Sequence, residues 1–298
     1  MNRHQNERAG GYRPAVATST QKFGTGKRES HDSSEFYKRF EAVEFSREKT
    51  FADAPEVDRI WCHSAEEMAE LPDNSVALMV TSPPYHAGKD YDSDATFTEY
   101  LGMLERVFAE THRVLEPGGR AVVNVANLGR KPYVPLASLI TVMMTERLGY
   151  FMRGEVIWRK SKGMNGSCAW GSWQSAKNPT IRDTHEYCLC YSKGRMDRVR
   201  QGTSTIDKEE FMAATLSVWE IPAESARRVG HPAPFPVALP RRFIELFTFE
   251  DDLVLDPFMG SGSTAVAAVQ AGRHYAGYDT DPAYVAIAEA RVAEAAAG

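Results

Sequence analysis

Short apolar runs alternate with longer amphipathic stretches along most of the chain. Residues 76–80 (Val-Ala-Leu-Met-Val) predict a buried strand, residues 97–115 an amphipathic helix, and residues 121–125 the next strand. We expect that helix to end at the turn formed by Glu116-Pro-Gly-Gly119. Alternation of this kind is typical of a largely parallel sheet covered by helices on both faces, so the pattern predicts an α/β fold.

The same alternation continues towards the carboxyl end of the chain. Further helices are predicted at 135–148, 239–248, 264–271 and 282–295, and further strands at 155–159, 187–191, 253–255 and 275–278.

Two regions depart from this regular pattern. Residues 1–35 are polar, with no sustained periodicity, which predicts a flexible arm; residues 36–50 are predicted as a short helix, and the folded body is expected to start near Val57. Residues 161–235 are irregular and rich in Gly, Ser and Trp, apart from a returning strand near 185–192. Irregular segments of this length inside compact domains are usually functional.

Composition restricts the class of protein. The chain has 298 residues, of which 43% are hydrophobic and 25% charged, as in globular domains and unlike disordered chains. No apolar run approaches the 18 or so residues that cross a bilayer, so we expect a cytoplasmic protein without membrane contact. The four cysteines lack zinc-site spacing, and we predict no metal.

Charge is unevenly distributed, although the whole chain carries a formal net charge of −5. Residues 153–200 contain ten Lys or Arg against four Asp or Glu, whereas residues 250–298 contain two against eight. A local basic excess of this kind indicates a surface for nucleic acid, which the average charge conceals.

One motif lies between a predicted strand and a predicted helix, Asp256-Pro-Phe-Met-Gly-Ser-Gly-Ser-Thr264. Its two glycines allow a sharp turn and close approach to a ligand, and the following helix presents unpaired N–H groups. Asp279 follows about twenty residues later, a spacing suited to a carboxylate that binds ribose hydroxyls. Taken alone, this motif is also compatible with an ordinary tight turn.

A second motif, Thr81-Ser-Pro-Pro-Tyr85, closes the strand at 76–80. Two prolines prevent further strand pairing, so the segment must project as a rigid loop from the strand's carboxyl end, where open α/β sheets bind ligands. The loop offers the Ser82 hydroxyl, unpaired carbonyls and the Tyr85 ring, which suit a planar base that bears an amino group. The alternative is a plain turn with Tyr85 packed inward.

Together these motifs resemble those of the amino-group DNA methyltransferases. The resemblance covers roughly residues 57–295 and has the catalytic motif before the cofactor motif, the circularly permuted β-type order. Further matching segments begin at Leu71, Gly88, Arg113, Val156, His185-Glu186, Val218 and Gly277.

This resemblance implies a Rossmann-like methyltransferase fold with a seven-stranded, mostly parallel sheet that has one antiparallel strand and an inserted target-recognition region. The implied organisation is an arm at 1–35, a catalytic half at 36–160, the target-recognition region at 161–235 and a cofactor-binding half at 236–298. S-adenosylmethionine is the implied cofactor. The implied cofactor-binding residues are Asp256, Pro257, Phe258, Met259, Gly260, Ser261, Gly262, Thr264, Tyr278 and Asp279.

The implied catalytic residues are Ser82, Pro83, Pro84 and Tyr85. In this family Ser-Pro-Pro-Tyr usually accompanies methylation of cytosine at N4 and Asp-Pro-Pro-Tyr that of adenine at N6, so Ser82 favours cytosine and leaves adenine open. Because the target amine lies inside a duplex, the base must flip out, with Tyr85 as its stacking partner.

Double-stranded DNA is the expected partner. Residue types in and near the irregular region can contact phosphates and base edges, and the candidate DNA-binding residues are Lys89, Lys160, Lys162, Trp173, Lys177 and Arg182. Trp173 is also compatible with packing in the core of a subdomain. A homodimer and a cognate restriction endonuclease acting on the same site are both compatible with the resemblance. Other open interpretations are a catalytically silent DNA-binding subunit and a methyltransferase for RNA or small molecules.

Overall fold

The central element is one sheet of eight strands with helices on both faces, seen in a computed structural model that describes residues 44–85, 96–129, 132–160, 171–224 and 235–297. Its strand order is β1-β8-β7-β2-β3-β5-β4-β6. The strands are β1 (Arg59–Trp61), β2 (Val76–Thr81), β3 (Leu115–Val125), β4 (Tyr150–Arg159), β5 (His185–Lys193), β6 (Val218–Glu220), β7 (Leu253–Asp256) and β8 (His274–Tyr278).

Only β5 runs against its neighbours, pairing antiparallel with both β3 and β4, while every other pair in this sheet is parallel. The sheet therefore has the single antiparallel strand and the permuted order that the sequence implied. The eighth strand, β6, lies at one edge beside β4, in a stretch for which the sequence pattern gave no regular structure.

Six α-helices cover the sheet in the described part of the chain. They are α1 (Phe97–Val114), α2 (Leu136–Val142), α3 (Lys208–Ala214), α4 (Ala238–Phe247), α5 (Ser263–Gln270) and α6 (Pro282–Ala297), and a π-helical turn, Met143–Arg147, extends α2. The capping box of Thr96 and Glu99 fixes the start of α1. None of these helices is long and apolar enough to cross a membrane.

Both faces of β2 are buried, which explains its unbroken apolar sequence. Val76 and Met79 belong to one core cluster together with residues of α1 and α2, whereas Leu78 and Val80 belong to a second cluster with residues of α4, α5 and α6. The strand therefore lies at the centre of a three-layer arrangement, and its carboxyl end is held firmly from both sides. The described residues from Phe45 onward belong to one compact unit.

The structure corrects the predicted turn after α1. The segment Glu116-Pro-Gly-Gly119 is not a turn but part of β3, which begins directly at Leu115 with an irregular register opposite β2. Gly118 has a φ of +80°, and a Cβ there would lie 1.9 Å from the Asp197 carbonyl oxygen, so this strand position requires glycine.

Two further expectations concern segments outside the predicted sheet. Residues 44–50 contain no helix, contrary to the predicted helix at 36–50, whose first residues lie outside the described part. The predicted arm at 1–35 also lies outside it. Helix α3 was not predicted, because only Ala214 of its seven residues is buried and a single buried residue gives no periodicity.

Candidate active site

The two motifs meet at one edge of the sheet. β2 ends at Thr81 and β7 at Asp256, and the two strands are adjacent and parallel, so the loops that follow them leave the same edge. We call this side, where β2, β3, β7 and β8 end and β5 begins, the catalytic edge. The opposite side, where those parallel strands begin and β5 ends, is the opposite edge.

Asp256 joins the two loops from beneath. Its carboxylate accepts hydrogen bonds from Thr81 Oγ1 (2.6 Å), Thr264 Oγ1 (2.7 Å) and the Phe258 N–H (3.1 Å). Asp256 is only 1% exposed, and this burial raises its pKa to about 6 although the two hydroxyls favour the ionised form. The residue therefore connects β2, α5 and the loop from Pro257 to Gly262, which we call the glycine loop.

Residues Ser82 to Tyr85, which follow β2, form a loop that we call the catalytic loop. It is held at its outer end by α1, because Tyr100 Oη donates to the Pro84 carbonyl (2.6 Å). At its inner end the Ser82 Oγ lies 2.9 Å from the Tyr85 hydroxyl. Both side chains are partly exposed. The Tyr85 hydroxyl is thus engaged in the protein, in addition to the stacking face that the sequence indicated.

Two side chains from the central strands contact that hydroxyl. Glu186 Oε2 lies 3.1 Å and Asn124 Nδ2 3.0 Å from it, and Asn124 Nδ2 also donates to Glu186 Oε2 (2.7 Å). Glu186 Oε1 forms an ion pair of 2.5 Å with Lys160 Nζ. We call Ser82, Tyr85, Asn124, Glu186 and Lys160 the Glu186 cluster.

The glycine loop is shaped by close contacts. Gly260 and Gly262 both have positive φ, +51° and +82°, and a Cβ on Gly262 would lie 2.8 Å from the Ala288 Cβ of α6. The Gly260 N–H donates to Asp279 Oδ2 (2.8 Å), and the Asp281 N–H donates to Asp279 Oδ1 (2.9 Å). Partial burial raises the pKa of Asp279, against these N–H bonds.

Both loops open on a cavity of about 570 Å³. Its walls include every residue from Ser82 to Tyr85, together with Pro257, Phe258, Gly260 and Asp279. The cavity is large enough for a nucleoside-sized ligand and places the catalytic loop beside it.

The sequence missed one wall of this cavity, the segment from His63 to Glu66 that follows β1. His63 Nε2 lies 2.9 Å from Glu70 Oε1, and the Tyr278 hydroxyl donates to Glu70 Oε2 (3.1 Å). Burial alone would lower the pKa of His63, but its hydrogen bonds to the Ser64 carbonyl and to Glu70 raise it. Recognising β1 as the neighbour of β8 would have placed this segment at the catalytic edge.

Some predicted cofactor residues lie behind the cavity. Tyr278 is buried and stacks on Trp61, with ring centroids 5.1 Å apart. The predicted residues that do not line the cavity, and that contribute to the loop or its support instead, are Asp256, Met259, Ser261, Gly262, Thr264 and Tyr278.

The predicted DNA-binding residues are placed differently from one another. Trp173 is 65% exposed and Lys177 is also exposed, on the segment that precedes β5 at the catalytic edge, whereas Arg182 is half-buried. Lys160 lies in the Glu186 cluster rather than on an open surface. Lys89 and Lys162 lie outside the described residues.

The basic excess at 153–200 is not one surface. Its last four basic residues lie at the opposite edge, where Lys193 Nζ binds the Leu115 and Arg113 carbonyls and Arg195 pairs with Asp197. Arg198 and Arg200 form ion pairs with buried acidic residues. This part of the predicted nucleic-acid surface is therefore wrong, since a charge count does not record which charges point inward.

No group of three or more His, Cys, Asp and Glu side chains in the described part of the chain is arranged to hold a metal ion.

Comparison with known proteins identifies relatives over most of the chain. A family described as DNA methylase, the N6/N4 methyltransferases, matches residues 76–290. The Type II methyltransferase M.MthZI of Methanothermobacter thermautotrophicus is 28% identical over 272 residues, covering 79% of this chain and 76% of that protein. M.BglI of Bacillus subtilis, also a Type II methyltransferase, is 25% identical over 293 residues, with coverages of 74% and 81%.

Solved structures are similar over a comparable length. A candidate DNA modification methylase from Thermus thermophilus, in complex with S-adenosyl-L-methionine, has a TM-score of 0.66 and 31% identity, covering 81% of this chain and 97% of that one. The PvuII DNA methyltransferase, described as cytosine-N4-specific, has a TM-score of 0.63 at 21% identity, with coverages of 83% and 95%, which is a likeness of fold.

Proposed function

The chain belongs to the N6/N4 DNA methylase family, and from that premise we propose that it methylates the exocyclic N4 of a flipped-out cytosine in double-stranded DNA. The observation that carries this proposal is the position of Ser82. Its hydroxyl stands at the carboxyl end of β2, in the wall of the cavity that the glycine loop also forms.

S-adenosylmethionine is the cofactor, and the residues of the cavity fit it. Pro257 and Phe258 offer an apolar wall to a purine ring, and Asp279 has carboxylate oxygens suited to ribose hydroxyls. Glu66 and Asp281 add negative charge, which favours a ligand with cationic groups. When bound, the cofactor supplies an electrophilic methyl group on a positively charged sulfur.

Ser82 and Pro83 provide what the target amine lacks. The lone pair of an exocyclic amine is delocalised into the base, so the nitrogen is a poor nucleophile. If Ser82 Oγ and the Pro83 carbonyl accept its two hydrogens, the nitrogen moves towards tetrahedral geometry and its lone pair is localised. Transfer would then be direct: the nitrogen–methyl bond forms as the sulfur–methyl bond breaks, S-adenosylhomocysteine is the leaving group, and the surplus amine proton passes to solvent water.

No cysteine is required for this route. Cys188 and Cys190 are buried in β5, and burial raises the pKa of Cys190 to about 12 and that of Cys188 well above its usual value. These thiols stay protonated and are unsuited to covalent attack on a pyrimidine.

DNA contacts are proposed for the segment before β5. Trp173, Lys177 and Arg182 lie on the segment that leads into β5, which begins at the catalytic edge, and aromatic and basic side chains of this kind can contact bases and phosphates of a bound duplex. The Tyr85 ring, partly exposed in the cavity wall, is proposed to stack on the flipped base. A homodimer and a partner restriction endonuclease stay predictions.

N6-adenine methylation is the alternative, because the same loop can hold the amino group of either base. The test is incubation of unmethylated DNA with the protein and isotopically labelled S-adenosylmethionine, followed by nucleoside mass spectrometry. We expect N4-methylcytosine. Detection of N6-methyladenine instead would show that adenine is the target base. The absence of any methylated nucleoside would contradict the enzymatic function.

Ser82→Ala is the matched variant for this experiment. It should bind cofactor and DNA nearly as the unmodified protein does but transfer the methyl group about 10- to 1000-fold more slowly, because one hydrogen bond to the amine is lost at the reacting step. Full activity in Ser82→Ala would contradict the proposed role of the loop.

A further inference from the structure

Glu186 is a buried carboxylate directly behind the catalytic loop, and the sequence assigned it no role. It is 6% exposed, and its two oxygens face only donors among its described partners: Lys160 Nζ at Oε1, and Asn124 Nδ2 and the Tyr85 hydroxyl at Oε2. Ammonium and amide N–H groups can only donate. Glu186 is therefore used as an ionised acceptor whose charge Lys160 balances.

Asn124 has its amide orientation fixed on both sides. Cys188 Sγ donates to its Oδ1 (3.4 Å), so its Nδ2 faces Glu186 and Tyr85. The Asn124 side chain thereby supplies N–H groups, and not another acceptor, to the space around the Tyr85 hydroxyl.

The Tyr85 hydroxyl has one proton and three acceptors within reach. Burial, followed by the charge of Glu186, raises the pKa of Tyr85 well above its usual value, so the hydroxyl stays protonated. The acceptors are Ser82 Oγ at 2.9 Å, Glu186 Oε2 at 3.1 Å and the Asn124 carbonyl at 3.4 Å. A hydrogen bond to a carboxylate is about twice as strong as a neutral one, so the proton points to Glu186.

The orientation of Tyr85 decides that of Ser82. When the Tyr85 hydroxyl donates its hydrogen bond to Glu186, the Tyr85 oxygen can accept one, and the Ser82 hydroxyl donates to it across 2.9 Å. Asn124 Nδ2 lies 3.4 Å from Ser82 Oγ and takes up one of its lone pairs, so the other lone pair is left for a ligand in the cavity. If Tyr85 donated to Ser82 instead, the serine would use a lone pair on the tyrosine and could turn its proton towards the lone pair of the amine, which must attack the methyl group.

We propose that Glu186 is a positioning residue which, through Tyr85, fixes the Ser82 hydroxyl as an acceptor for the target amine. This inference rests on the proposed function and assigns a residue of the antiparallel strand β5 to the catalytic apparatus. The polarity of the chain runs from the amine to Ser82, to Tyr85 and to Glu186, with Lys160 behind the carboxylate.

Glu186→Gln tests the polarity with almost no change in volume. An amide cannot accept from Lys160 on one side and from Asn124 and Tyr85 on the other, so its NH₂ group faces one of these donors. With the NH₂ group towards Tyr85, the tyrosine proton turns to Ser82. We expect single-turnover methyl transfer to slow by about 10- to 100-fold, with unchanged dissociation constants for S-adenosylmethionine and DNA.

A double-mutant cycle with Tyr85→Phe separates positioning from general damage. Removing the hydroxyl breaks the chain, so Tyr85→Phe alone should slow transfer by about 10-fold, and adding Glu186→Gln should then cost less than about 3-fold. Glu155→Gln, at an exposed carboxylate on β4, is the matched control and should leave the rate unchanged.

Two outcomes overturn the positioning role. One is a wild-type rate in Glu186→Gln, and the other is an equal loss from Glu186→Gln in both backgrounds, which would show action independent of Tyr85. If Glu186→Gln does not fold, Tyr85→Phe decides, because a wild-type rate in that variant excludes the chain. If the unmodified protein transfers no methyl group to DNA, the proposed function itself is contradicted. This failure is seen without any variant and so differs from failure of the positioning role, which only the variants reveal.

Discussion

The two edges of the sheet both bury carboxylates, but they compensate them differently. At the opposite edge, Glu116 is 1% exposed and pairs with Arg198 (2.6 Å) and Arg200 (3.3 Å), and Arg198 also pairs with Asp252 (2.5 Å). At the catalytic edge, the described partners of Asp256 are two hydroxyls and one N–H.

This difference separates stabilising charges from positioning ones. Fully paired carboxylates at the opposite edge tie β3, β7 and the segment after β5 together, and they line a smaller cavity of about 240 Å³. At the catalytic edge, hydrogen bonds from hydroxyl and N–H groups hold Asp256 and Asp279 and also fix the loops beside the cavity, whereas Glu186 pairs with Lys160. The polar interactions at the catalytic edge orient the groups of the loops. Active sites need such fixed orientations even where they reduce the stability of the fold.

Arg198→Ala should have the largest effect on stability. It leaves Asp252 without its described ion-pair partner and Glu116 with Arg200 alone, and breaking a buried ion pair costs about 3–5 kcal/mol in the free energy of unfolding. Urea unfolding measures the loss, and the methyl-transfer rate per folded molecule should be unchanged. Arg147→Ala, in an exposed pair with Glu105, is the control and should show no measurable loss; equal effects in both variants would contradict the distinction.

Asp279→Ala should mainly affect cofactor binding. It removes a carboxylate from the cavity and a partner of the Gly260 N–H, and each lost charge-assisted hydrogen bond costs about 1.5–3 kcal/mol, or roughly 10- to 150-fold in affinity. Calorimetry with S-adenosylmethionine measures the change. Asp53→Ala, at the opposite edge, should bind the cofactor normally, and unchanged affinity in Asp279→Ala would remove it from the site.

Asp256 should make stability depend on pH. Its pKa of about 6 in the folded protein lies above the ordinary value of 3.8, so the folded state holds a proton that the unfolded chain releases. Stability from this group is present below about pH 4 and is lost as the pH rises through about 6. Between pH 4.5 and 7 the unfolding free energy of the unmodified protein should fall by about 2 kcal/mol relative to that of Asp256→Asn. If the difference in unfolding free energy between the two proteins did not change with pH, burial would not raise the pKa of Asp256 as stated.

The sequence predicted the elements of the fold wherever consecutive residues of an element are all buried. β2 is buried on both faces and reads as an apolar run, and the motifs at its end and at the end of β7 follow from their position after strands. Pro117 and Gly118 led to the wrong prediction of a turn, because Leu115 and Arg120 on either side of them pair with β2 and keep the segment within the strand. Strands of three residues, such as β1 and β6, carry too short a pattern to be predicted.

Only some residues of the candidate site could be predicted from the sequence, for a different reason. Ser82, Tyr85 and Asp279 lie in local motifs. Asn124 reaches the loop through the pairing of β3 with β2, where Val123 lies opposite Thr81, and Glu186 reaches it through the pairing of β5 with β3, where Cys188 lies opposite Asn124. Such non-local contacts have no signal in a single sequence. Lys160 likewise looked like a phosphate contact until its distance to Glu186 was known.

The smallest expected effect is a change in the salt dependence of DNA binding. It tests whether Lys160 contacts Glu186, as the structure indicates, or a DNA phosphate, as the sequence suggested. Lys177 is exposed before β5, and if it contacts a phosphate, Lys177→Ala should reduce the slope of log affinity against log salt by about 0.9. Lys160→Ala should leave this slope unchanged and slow methyl transfer, because its ammonium balances Glu186 rather than DNA.

Lys49→Ala, at an exposed lysine near the opposite edge, is the matched control for charge and should alter neither slope nor rate. Titrations at four or more salt concentrations resolve the slopes, and single-turnover assays give the rates. A reduced slope with a normal rate in Lys160→Ala would return this lysine to the DNA surface. An unchanged slope in Lys177→Ala would move phosphate recognition away from the segment before β5, and the same slope loss in Lys49→Ala would show that the assay reports net charge and not a particular contact.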